Sequence, residues 1–379
     1  MRSGTRPTGM SRTANRVADV AEAPTTAIRR RLGTTELVYL ALLGVMVGGA
    51  ILVALQDKNL FSTANTVEML SRSSLLGFIA IGQTLVILCR SLDLSVGYVV
   101  ALSSLVAATT MDGDPARVPL AIAVTLLVAG GIGLANGLII SVLKVNPFIT
   151  TLGMGLIIKG YLDTEYKGPA GAVPESFRQF GYSRIGFVPV SAAVMLLAAV
   201  AGILYLRKTR TGFHMYAVGG NAEVARMSGI RTGRVMVTAH VLCAMTAGVA
   251  GLLLAARFGT GSAEVYENGY ELESIAAVVL GGTFLMGGRG GVAGTLAGVL
   301  ILAELDTIFN ILQVDPFFKD VLRGVIIIAA VAIYARRRLD VRASRARFGG
   351  DGGADGGPPP EPPPRHDDDP ARPHQGGVR

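Results

Sequence analysis

Residues 188–206 read VPVSAAVMLLAAVAGILYL and residues 235–256 read VMVTAHVLCAMTAGVAGLLLAA, with RKTRTGFHMYAVGGNAEVARMSGIRTGR (207–234) between them. Each apolar run approaches the ~20 helical residues that cross a hydrocarbon core. Both mostly lack the polar face that a helix at the surface of a soluble domain carries. The rest of the chain follows the same pattern. Half of its 379 residues are hydrophobic and 16% are charged, where a soluble domain has about a quarter charged. The chain therefore reads as an all-α polytopic membrane protein.

Working outward, the apolar pattern predicts about ten spans, near 37–55, 70–89, 96–111, 118–142, 147–162, 187–206, 235–256, 272–286, 292–312 and 318–335. The third, fifth and eighth are short enough to be tilted, broken or re-entrant. Glycine inside the spans (GGIGLANG, AGTLAG) predicts close helix packing. Arg29–Arg31, the basic residues of 207–234 and Arg336–Arg338 all fall on one side of a ten-span chain, which marks that side as cytoplasmic. The organisation expected is a basic cytoplasmic N-terminal tail (1–36), a transmembrane permease domain (37–335) holding the loop 207–234, and a cytoplasmic Gly/Pro-rich disordered tail (336–379). The first span reads as an uncleaved insertion signal. Both termini are then cytoplasmic, and the net charge of +8 is a topology signal before it is a sign of nucleic-acid binding. Cys89 and Cys243 read as reduced, buried small hydrophobes.

LKVNPFITTLGMGLII (143–158) and LQVDPFFKDVLRGVII (312–327) align without gaps at an offset of 169 residues. Spans four and five then correspond to nine and ten. A five-span unit reverses direction across the membrane, so the two halves are inverted repeats, an architecture of transporters.

The 219–230 stretch, GGNAEVARMSGI, predicts a short helix. Asn221 suits its N-cap, Glu223 the positive end of its dipole and Gly229 a left-handed C-terminal cap. So short a helix needs a partner surface. An ordinary loop with one helical turn is the alternative. In LDLSVG (92–97), Asp93 or Ser95 can cap the third span, and either can touch substrate. Gln83, Asn136, Glu304, Asp306 and Asn310 lie within spans, where polar groups line a pathway or bond between helices. Lys159 is expected to snorkel to the outer interface. GGRGGVAGT (287–295) mimics a dinucleotide fingerprint without its βαβ context and reads as a close-packed turn. The chain carries no P-loop. Four histidines, two of them in the tail, suggest neither a metal site nor a Ser–His–Asp arrangement.

LDLSVG, VNPFITTLG, GGNAEVARMSGI, YELESIAAVVLGGT (270–283) and GGRGGVAGTLAGVLIL (287–302) occur in order. Together they resemble the membrane permease subunits of ATP-binding-cassette importers for simple sugars, the ribose-permease type, over roughly 37–335. The outer segment 160–186 departs from the family pattern. The resemblance implies a type II importer fold, in which Gly219, Gly220, Asn221, Glu223, Ala225, Arg226, Ser228 and Gly229 form a coupling helix seated on the ATPase. It implies the translocation pore for a monosaccharide of the ribose, xylose or galactose type in a bacterial cytoplasmic membrane. The implied partners are a second permease copy, cassette ATPase subunits and an extracytoplasmic sugar-binding protein, with lipid around the chain and no nucleic acid. No cofactor is expected on this chain, since ATP and Mg would sit on the ATPase, and the chain is not itself an enzyme. An ion-coupled secondary transporter, an importer of another small polar solute such as a nucleoside, and a lipid-linked glycosyltransferase are the competing functions; the last lacks the carboxylate-rich loop motifs it needs.

Overall fold

The structure is a computed structural model that describes residues 33–315 and, beyond them, 317, 318, 321, 324, 325 and 328. The expected tails and most of the span near 318–335 therefore lie outside the described residues, as do seven of the sixteen residues of the second aligned segment, 312–327. The helices are α1 (Thr34–Ala54), α2 (Thr63–Leu88), α3 (Val96–Met111), α4 (Val118–Val142), α5 (Pro147–Glu165) and α6 (Glu175–Tyr182). They continue as α7 (Val190–Lys208), α8 (Arg210–Gly220), α9 (Ala222–Met227), α10 (Thr232–Phe258), α11 (Tyr270–Leu280) and α12 (Val292–Ile311). A two-residue hairpin, β1 (Arg184–Ile185) with β2 (Val188–Pro189), is the one sheet among the described residues. Among the described residues, six helices are long and apolar enough to cross a membrane: α1, α2, α4 (with the short turn before it), α7, α10 and α12.

α2 and α10 form the centre. Their apolar windows are 78% and 72% buried, against 11% for α1. Small residues set how close the neighbours come. On α4, Gly133 and Gly137 stand one turn apart against α10, and a Cβ at Gly137 would lie 2.6 Å from the Cα of Val237. That backbone-to-backbone approach is how helices gain contact where lipid offers no hydrophobic drive. α10 packs against α2, α3 and α4, while α2 packs against α11 and α12 as well.

The eighth predicted span, 272–286, takes the broken form its length allowed: α11 is 11 residues long and ends where Gly281 and Gly282 follow, and the chain turns through to 291. At ~1.5 Å per residue such a helix covers about half of the hydrocarbon thickness. Before the predicted short helix there is a second one, α8, starting at the Thr209 cap, whose Oγ1 accepts the N–H of Gly212 at 3.0 Å.

Element ends recur at the spacing of the two aligned segments. α2 and α10 begin at Thr63 and Thr232, α3 and α11 end at Met111 and Leu280, and α4 and α12 end at Val142 and Ile311. Lys144 and Gln313, both non-glycine, take left-handed backbone at φ +59° and +56°. Asn146 and Asp315 each accept, through the side chain, the N–H two residues on, at 2.9 Å in both cases.

Candidate functional site

The polar segment between α7 and α10 folds as the residue types predict. Asn221 Oδ1 accepts the N–H groups of Glu223 and Val224 at 3.0 and 3.1 Å. At the other end Gly229 is left-handed, φ +82°. The N–H of Gly229 bonds the carbonyl of Arg226 and that of Ile230 the carbonyl of Ala225, at 2.9 and 3.0 Å. This double bond pattern closes the helix as a Schellman motif. Arg226 and Glu223 pair on the exposed side at 2.7 Å. Ala225 is buried, while Val224 and Met227 are 56% and 81% exposed, as is Phe213 on α8. α9 thus carries an unpartnered apolar face.

The inner side of the same segment is locked to two other turns. Gly219 is buried, and a Cβ there would collide with the carbonyl oxygen of Leu88 at the end of α2 and meet the Gly288 nitrogen at 2.6 Å. The N–H of Gly288 itself bonds Leu88 O at 3.0 Å. The Tyr216 hydroxyl donates to Gly290 O at 3.0 Å. Burial holds that phenol above the ordinary tyrosine range, so it remains a donor. Gly220, by contrast, faces open space.

Asp93, Ser95 and Asn136 come together in one buried knot, with Ser91, Thr151 and His240 added. Asp93 Oδ2 lies 3.2 Å from His240 Nδ1, and His240 Nε2 lies 3.0 Å from Ser91 Oγ. Asp93 Oδ1 accepts from Ser95 N at 3.0 Å and from Ser95 Oγ at 2.5 Å. Asn136 Nδ2 donates to Ser95 Oγ at 3.0 Å, and the Leu94 N–H donates to Thr151 Oγ1 at 3.0 Å. An ionised carboxylate only accepts, so in the neutral imidazole Nδ1 carries the hydrogen and Nε2 accepts from Ser91. The turn between α2 and α3 is thereby fastened to α4, α5 and α10. Asp93 caps no helix: it folds the turn back on Ser95, whose own side chain makes no cap bond to α3.

A Ser–His–Asp series is therefore present, contrary to the sequence expectation. His240 and Asp93 are fully buried and Ser91 nearly so; the three are bonded to one another and none of them lines the cavity described below, so the series is structural. The signal available was a histidine inside an apolar run, which is costly unless it has a partner.

Of the other in-span candidates, Gln83 is buried and accepts from the Cys243 thiol at 3.6 Å. Both cysteines are free and buried. Glu304 is buried near the middle of α12, and Asn310 is exposed near its end. Asp306 lines a cavity of about 860 Å³ together with Ser71, Arg72, Arg257, Asn268 and Tyr270. Arg72 and Arg257 both bond Glu68, at 2.7 Å each. Lys159 does not extend to an interface alone. It pairs with Asp163 at 2.5 Å and lies 4.9 Å from the centre of the Tyr266 ring.

Comparison with known proteins gives the class. The chain is 36% identical over 287 residues to the Ribose import permease protein RbsC of Escherichia coli (strain K12), covering 74% of this chain and 89% of that one. It is 38% identical over 289 residues to the Bacillus subtilis (strain 168) protein of the same name, covering 75% and 88%. It is 36% identical over 329 residues to the Galactose/methyl galactoside import permease protein MglC of Escherichia coli (strain K12), covering 80% and 97%. No solved structure matches. Residues 65–331 match the family described as branched-chain amino acid transport system / permease component, and this multi-pass helical chain belongs to it.

Proposed function

We propose that the chain is the translocation pore of an ATP-driven importer that moves a monosaccharide of the ribose or galactose class across the cytoplasmic membrane. The sugar permeases to which it is similar along most of their length support the substrate class. The observation that carries the mechanism is α9. It is capped at both ends, bears exposed Val224 and Met227, and is anchored through Gly219 under the end of α2. A rigid apolar knob fixed to the central helix is what a cassette ATPase on a separate chain needs in order to move the membrane helices as bodies.

Ten spans in two inverted five-helix halves accommodate the fold. The element ends recurring at one spacing, the paired left-handed residues Lys144 and Gln313, and the matching Asn146 and Asp315 turns support that arrangement. In it the basic loop 207–234 and both termini are cytoplasmic, and the cavity near Arg257 opens outward. A second permease copy and an extracytoplasmic binding protein complete the importer.

Uptake of D-ribose and D-galactose into proteoliposomes holding the permease with its cassette ATPase tests the function. Vanadate should stop uptake and a protonophore should leave it intact. The reverse pattern identifies an ion-coupled carrier and refutes the proposal.

A further inference from the structure

The outward cavity occupies the same place in the second half of the chain as the buried knot does in the first. At the 169-residue offset of the aligned segments, Ser91, Asp93 and Ser95 correspond to Thr260, Ser262 and Glu264, and His240 corresponds to Ser71. All four of these counterparts line the cavity, whereas that of Asn136 is Leu305, which does not, and that of Thr151 is Asp320, outside the described residues. One position of the repeat is thus closed by a chain of hydrogen bonds, and its counterpart is an open polar chamber. In inverted-repeat transporters, polar groups at the interface of the halves make the substrate site.

The wall has the chemistry of a polyol site. Its volume, about 860 Å³, is within the range of small-molecule pockets. Hydroxyls of Ser71, Ser191, Thr260 and Ser262 stand among carboxylates that accept sugar hydroxyls, Glu273 and Asp306, while Leu253 and Leu254 offer an apolar side for ring C–H groups. The two arginines of the wall share the carboxylate of Glu68, and the carboxylates of Glu264, Glu267, Glu273 and Asp306 in the lining outnumber them, which disfavours an anionic substrate. Ser191, at the start of α7, is more than nine-tenths buried, and its Oγ has no hydrogen-bond partner among the described residues. A buried hydroxyl without a partner costs about 1–3 kcal/mol, and a ligand hydroxyl in the cavity would supply the missing bond.

We infer that this cavity is the acceptor site for an incoming neutral monosaccharide, with Ser191 as one of its hydrogen-bonding contacts. The assignment rests on the transport function proposed above and names the residues that first receive the sugar.

The chain contains no tryptophan, so Tyr270→Trp places a single reporter in the cavity wall. In the purified full-length permease, D-ribose or D-galactose should change its emission saturably in the millimolar range, and L-arabinitol phosphate, an anion, should not. Ser191→Ala in the reporter background, which removes one oxygen, should weaken the response by about fivefold or more, and Ser191→Thr should restore most of it. Absence of a saturable response to either sugar below about 100 mM, or a response that Ser191→Ala leaves unchanged, overturns the assignment. Because Tyr270→Trp alters the wall itself, competition by unlabelled sugar for tritiated sugar bound to the Tyr270 protein repeats the comparison without the reporter. ATP-driven uptake by the wild-type complex is measured alongside. Uptake without a cavity response rejects the site alone, and absence of uptake rejects the transport function.

Discussion

Gly219 presses its bare Cα against the carbonyl oxygen of Leu88, leaving no space for a methyl group. The end of α2, one of the two central helices, and the end of α8 are therefore in direct backbone contact, and both are tied to the 288–290 turn by the Gly288–Leu88 and Tyr216–Gly290 hydrogen bonds. α9, which follows Asn221, inherits that rigid connection, while its outer face remains uncovered.

Gly219→Ala should consequently reduce uptake by about tenfold or more, because the added methyl forces the backbone junction open. Gly220→Ala, one residue on and facing open space, should transport within about twofold of wild type. Initial uptake rates in the proteoliposome assay, normalised to permease abundance, make the comparison. Equal rates for the two variants would remove the junction from the coupling route.

Gly229→Val should disconnect ATP hydrolysis from uptake. Left-handed backbone costs a non-glycine residue about 1–2 kcal/mol, more if β-branched, and a six-residue helix has little cooperative stability to resist it. Glu223→Lys, which removes the Arg226 ion pair and places a positive charge in the first turn, should weaken ATPase copurification. Both substitutions lie outside the long apolar helices, so membrane abundance should remain normal. Wild-type transport by both variants would make 219–230 an ordinary loop.

The two nitrogens of His240 can be tested separately. Asn at 240 places an amide donor near the Nδ1 position that faces Asp93, and Gln reaches the Nε2 position that faces Ser91. Leu supplies neither and leaves a buried carboxylate short of its partner, a loss of roughly 3–5 kcal/mol. Thermal unfolding midpoints in detergent should fall in the order His, Asn, Gln, Leu. A Leu variant as stable as wild type would show that the imidazole does not hold the α2–α3 turn.

The inverted repeat predicts that Asn146 and Asp315 face opposite sides of the membrane. After replacement of Cys89 and Cys243, single cysteines at 146 and 315 should react with an impermeant thiol reagent from opposite faces: 146 in inside-out vesicles, 315 in intact cells. Labelling of both from the same face would rule out the five-plus-five arrangement.

Much of the fold is local enough to read from residue order. Runs such as 188–206 and 235–256 are helical because an unbroken apolar segment in lipid must satisfy its backbone within itself; α7 covers the first from Val190 on, and α10 covers the second. Asn221 and Gly229 likewise declare the ends of α9, since their hydrogen bonds and backbone angles involve only neighbours along the chain. Asp93, Ser95 and Asn136 were visible as polar residues out of place, but their common destination was not.

Tertiary structure decided what lies far apart in sequence. His240 is 147 residues from Asp93 and Gly219 is 131 from Leu88, and neither contact has a local signature. The half-length α11 was legible only as a short eighth span: the apolar composition continues past Leu280, and where the helix stops was decided by glycines that let the chain turn and pack against α12. Apolar pattern and capping chemistry act over a few residues and fix which segments are helices. Which bare glycine meets which carbonyl, and which buried carboxylate meets which imidazole, follows from packing many helices at once, because a desolvated polar group accepts only the partner that the assembled bundle brings within hydrogen-bond distance.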